Sequence, residues 1–117
     1  MSQKEKVMPI ELPTAIAGYF MAANAHDATA MLRFFTQDAA VIDEKQERRG
    51  HVAIGTWEKE TNEQYQPHAE PISVQQSGEE AVVMATVSGN FAGSPVTLRF
   101  AFRLTGDLIG RLEITVP

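Results

Sequence analysis

Two side chains in this sequence have the chemistry for proton transfer: the carboxyl of Asp43, at the end of a short apolar run, and the phenol of Tyr19 on a helical stripe. A carboxylate inside an apolar cavity becomes a stronger base near neutral pH, and a phenol can hydrogen-bond a developing oxyanion. Asp43 shares a strand face with Val41, so a cavity on one side receives both; otherwise Asp43 is a solvated aspartate opening a turn. Tyr19 sits in a stripe with Leu12, Ile16 and Ala23, where a core aromatic is the alternative. Trp57 follows Ile54 by three residues and is expected in the core or the pocket wall. Phe100 and Phe102, on one face of an alternating strand, are expected to supply apolar lining. His68 begins a strand at the expected pocket rim. His26, His51 and His68 show no H-x-H or H-x-x-x-H spacing, so no metal site is expected. With no cysteine, disulfides, thiolate ligands and cysteine nucleophiles are all excluded. Arg48-Arg49 lies among Glu44 and Glu47, a mixed-charge turn that reads as a solvated face rather than an anion site.

The elements that must hold these groups can be read from periodicity. Leu12, Ile16, Tyr19, Phe20 and Ala23 define a first helix, with Pro13 in its first turn. Asp27 is placed to cap a second helix carrying Ala28, Met31, Leu32 and Phe35, which the pattern ends near Thr36-Gln37-Asp38. A short strand over 39–43, a charged turn and a return through Arg48-Arg49 lead to Gly50. A third helix follows over about 51–65, with Ile54, Trp57, Thr61 and Tyr65 on one face.

The second half is β. A weak strand over 68–76 is expected to point Ile72 and Val74 one way. A long strand over 81–91 follows, apolar on both faces. Val96, Leu98, Phe100, Phe102 and Leu104 then alternate with Thr97, Arg99, Ala101 and Arg103, and a final strand runs over 108–116. Helices first and antiparallel strands second define an α+β class: a cone-shaped, curved mixed or antiparallel sheet wrapped around three helices from the N-terminal half. A cone of this kind has a mouth and an apolar pocket.

At 117 residues, 44% apolar and 8% aromatic, the chain has the balance of one globular domain over 11–117, with a frayed, charged tail over 1–10. Ten basic against fifteen acidic residues leave a net charge of −5, which argues against a nucleic-acid face. The polar start has no apolar run of signal-peptide length, so a cytoplasmic protein off the membrane is expected.

Four segments in order resemble the nuclear-transport-factor-two-like superfamily, in its ketosteroid-isomerase and polyketide-cyclase-like branch. They are Tyr19 to Asp27 (Y-x-x-A-x-N-x-x-D), Phe35 to Asp43 (F-x-x-D-A-x-V-x-D), Gly50 to Ile54 (G-x-x-A-I) and the closing hairpin Gly106 to Ile114. The resemblance covers about Leu12 to Val116. It implies a catalytic pair of Tyr19, as oxyanion donor, and Asp43, as the group that moves the proton. Val41, Trp57, Phe100, Phe102 and His68 would then form the substrate-binding surroundings. If the protein is an enzyme, the implied reaction is a cofactor-independent isomerase- or lyase-type proton transfer alpha to a carbonyl: isomerisation, dehydration or cyclisation of a small apolar molecule. The alternative is a non-catalytic ligand-binding or dimerisation module of the same fold. The family's second oxyanion donor aligns with Phe100 or a neighbour, so steroid isomerisation is expected to be weak or absent. A homodimer through the outer sheet face is also implied, since Val82 and Met84 oppose Val83, Ala85 and Val87 on one strand.

Overall fold

A computed structural model of the chain describes residues 10–117. The expected tail therefore lies outside the described residues, except for the exposed Ile10. Helix α1 (Thr14–Asn24) turns through 25–27 into the short α2 (Ala28–Leu32). Pro13 stands just before α1, at its N-cap rather than inside its first turn. The Asp27 carboxylate accepts the Ala30 N–H at 3.0 Å and caps α2.

Strand β1 (Phe35–Asp43) begins four residues earlier than the helical pattern suggests. Phe35 pairs with Ile109 and is buried, so tertiary pairing overrides the local continuation of α2. Glu44 and Lys45, both at positive φ, form the two-residue turn into β2 (Gln46–Arg49). Arg48 Nη1 steadies this hairpin by donating to the carbonyls of Asp43 at 2.8 Å and Gln46 at 3.0 Å. Gly50, at φ +88°, makes the change of direction into α3 (Gly50–Tyr65) that a side-chain-bearing residue would resist.

Strands β3 (His68–Ser77), β4 (Glu80–Ser88), β5 (Val96–Thr105) and β6 (Leu108–Thr115) form an antiparallel meander. β1 joins β6 in parallel, giving one mixed sheet in the order β2-β1-β6-β5-β4-β3 that does not close. Register shifts in β1, β3 and β5 bend the sheet around the helices. The shift in β3 lies between Pro71 and Ser73. It corrects the expected shared face of Ile72 and Val74, leaving Ile72 exposed while Val74 packs on the core. β4 ends at Ser88, short of the expected 91, because the chain turns at 89–95.

The core lies between the concave sheet face and the helices. Ile16, Met31, Val41, Ile54, Val83, Ile109 and Leu112 are fully buried there. Ala81, Val83, Ala85 and Val87 of β4 face inward, and Val82 and Met84 take the outer face, partly exposed. The architecture is the expected α+β cone of three helices in a curved mixed sheet.

Candidate functional site

A cavity of about 390 Å³ opens between α1, α3 and the concave sheet. Its apolar wall includes Phe20, Trp57, Phe91, Leu98, Phe100 and Ile114. The polar groups on its wall include Tyr19 and Asn24 of α1, Asp43 at the end of β1, Arg48 of β2, and Glu58 and Thr61 of α3.

Asp43 is partly buried, and its Oδ2 accepts the indole N–H of Trp57 at 3.1 Å. Trp57 is therefore both pocket wall and a hydrogen-bonding partner that fixes the carboxylate's direction. β1 pairing with β2 and β6 places Asp43 at the strand end, and α3 crosses β1 so that Trp57 reaches it.

Tyr19 is buried in an aromatic cluster, edge-to-face with Phe20, Phe35 and Phe102 at centroid distances of 5.0–5.9 Å. Burial chiefly, then the nearby carboxyls of Glu58 and Asp43, hold its phenol well above the ordinary range. The hydroxyl therefore keeps its proton and remains a donor.

The sequence reading had no place for Glu58. At 4% exposure it is a buried acid on the cavity wall. Desolvation pushes its carboxyl up to about 7, against smaller opposing effects from the Asn62 amide and the charge of His26. Asn62 Nδ2 donates to Glu58 Oε2 at 3.4 Å, and Asn62 Oδ1 is buried without a hydrogen-bond partner among the described residues. Spacing contains the signal: Glu58 follows Ile54 by four residues and so falls on the buried side of α3.

Of the remaining expected residues, Phe100 lines the cavity. Val41 and Phe102 do not; both are buried in the core beneath it. His68 is also off the cavity wall: its neighbours Pro67 and Ala69 face in, while His68 lies on the outer side, 3.6 Å from Glu70. Strand alternation is the reason, since a residue at the rim still presents its side chain to one face only. His26 bonds the Pro67 carbonyl at 2.9 Å, and the Asn24 amide bonds both backbone groups of Ala69 at 2.8 and 2.9 Å. These contacts clasp the end of α1 and the turn after it to the start of β3 and the residue before it. Of the expected solvated pair, Arg49 pairs with Glu47 at 2.8 Å on the surface, whereas Arg48 is half-buried on the cavity wall, drawn in by the Asp43 carbonyl. Among the described residues no three His, Asp or Glu side chains converge as metal ligands. No helix among them is long and apolar enough to cross a membrane.

Helices packed in a curved mixed sheet around a largely apolar cavity define a nuclear-transport-factor-2-like domain. Residues 16–109 match the SnoaL-like domain, and the chain belongs to that family. A proposed polyketide cyclase from Sinorhizobium meliloti is 39% identical, with TM-score 0.86 over 89% of this chain and 95% of that one. A Catenulispora acidiphila protein of ketosteroid isomerase-like fold, solved with trimethylamine, is 18% identical at TM-score 0.80, covering 89% and 85%. A proposed polyketide cyclase from Xanthomonas campestris is 20% identical at TM-score 0.77, covering 86% of each chain. The last two likenesses show the fold alone. No curated protein matches the chain in sequence.

Proposed function

We propose that the cavity takes a small, largely apolar carbonyl compound and moves a proton on the carbon alpha to the carbonyl, without a cofactor. The observation that carries this reading is the Trp57–Asp43 hydrogen bond, which holds a carboxylate on the wall of a largely apolar cavity that a protonated Tyr19 also lines. Asp43 takes the alpha proton, the C–H electron pair passes to the carbonyl oxygen, and the Tyr19 hydroxyl hydrogen-bonds the enolate. Asp43 then returns the proton, to the same carbon or to another conjugated with it. Similarity to the S. meliloti protein supports the substrate class.

The test needs no prior substrate. Incubated in D₂O with a panel of aryl and cyclic ketones, the protein is expected to catalyse deuterium incorporation alpha to a carbonyl. Tyr19→Phe should slow that exchange by about 10²-fold, as loss of an oxyanion donor does. No exchange with any ketone would leave the second reading, a binding module without chemistry. Phe100, buried at the aligned position of the family's second donor, favours that one.

Dimerisation belongs to the same proposal, through an outer sheet face where Val82 of β4 lies opposite Ala101 of β5 and Met84 opposite Arg99. Light scattering at micromolar concentration is expected to give twice the 12.9 kDa chain mass. A clean monomer overturns it.

A further inference from the structure

We infer that Glu58 is the cavity's second hydrogen-bond donor, its protonated carboxyl sharing the ligand's carbonyl oxygen with the Tyr19 hydroxyl. The inference rests on the carbonyl-ligand reading above. It supplies from α3 the donor that Phe100 cannot supply from β5.

The geometry that carries it is the distribution of committed and free polar groups. Asn24 is engaged with Ala69, Arg48 with the hairpin carbonyls, and Trp57 with Asp43. Among the described residues nothing hydrogen-bonds the Tyr19 hydroxyl, and Glu58 has only the long contact from Asn62 to one of its oxygens. Both groups are buried and both line the cavity. No Lys or Arg among the described residues lies within ion-pair distance of Glu58. A buried carboxyl without a cation keeps its proton unless a neighbour stabilises the anion, and a protonated carboxyl is a donor. The groups near it are Tyr19 from α1, His26 from the α1–α2 turn and Asn62 from its own helix, with Asp43 of β1 and Arg48 of β2 on the same cavity wall. Asp43 is a second carboxyl, Tyr19 stays neutral, the Arg48 guanidinium is committed to the hairpin carbonyls, and His26 lies exposed at a helix end.

An acetylnaphthalene, an aryl ketone with no titrating group, provides the probe, and quenching of the single tryptophan, Trp57, reports its binding. Wild-type affinity is expected to fall roughly tenfold between about pH 5.5 and about pH 8.5, as the Glu58 carboxyl loses the proton it donates. Glu58→Gln keeps an N–H donor that does not titrate, so its affinity should be flat over the same range. Tyr19→Phe should bind more weakly at both pH values and keep the wild-type ratio between them. A pH dependence that persists unchanged in Glu58→Gln assigns it to His26 or Asp43 and overturns the role of Glu58 alone. Failure of every form to bind the ketone at any pH overturns the carbonyl-ligand reading as well.

Discussion

Asp43→Asn is expected to slow alpha-deuterium exchange by about 10²–10⁴-fold, the usual contribution of a positioned general base. Its melting temperature should shift by no more than about 2 °C at neutral pH. The two halves of that expectation come from the same hydrogen bond. Trp57 donates to a side-chain oxygen, and an asparagine still offers one in the same place, so the buried indole N–H keeps its acceptor. What the amide lacks is the basic lone pair that accepts a carbon-bound proton. Asp43→Ala makes the contrast: it strands an N–H on a residue only 6% exposed, which should cost about 1–3 kcal/mol. Exchange rates and thermal melts of the two variants check both points. A drop of many degrees in Asp43→Asn would make Asp43 a residue that holds the β1–β2 hairpin, and persistent exchange would remove it as the base.

Much of this site could be read before the fold was known, because its parts lie on strong periodic elements. The Tyr19 stripe and the unbroken alternation from Val96 to Leu104 each fix which side chains face inward. Where the reading fell short, the missing information was tertiary. The bond between Asp43 and Trp57 joins a strand end to a helix, and only the crossing of α3 over β1 brings them to 3.1 Å. Phe35 follows the helical stripe of α2 in sequence, yet its pairing with Ile109 makes it strand. Val41 and Phe102 point inward as alternation requires, but inward at their depth is core, not cavity. Glu58 was hidden by its company: with Lys59, Glu60 and Glu63 around it, it reads as part of a solvated helix face. Its four-residue offset from Ile54 outweighs that composition, since helix geometry decides which side of α3 a residue occupies.

That buried position sets the largest stability effect expected in the molecule. Glu58 has its carboxyl raised from an ordinary 4.5 to about 7, mainly by desolvation. Between those values the folded chain holds a proton that the unfolded chain has released. Stability therefore falls as pH rises from the lower value through the upper one, then levels off. Relative to the acid plateau the loss is about 3 kcal/mol, a large part of a small domain's total. Glu58→Gln removes the charge without removing the shape. The variant is expected to match the wild type near about pH 4 and to exceed it near about pH 8, with a melting temperature higher by on the order of 10 °C. Thermal melts across that range give the comparison. Parallel pH profiles for the two proteins would mean that Glu58 ionises in the folded state as readily as in the unfolded chain. A separation that widens between about pH 5 and about pH 7 would mean that the cone keeps a destabilising acid in its cavity wall, the usual cost of a functional group built into an apolar site.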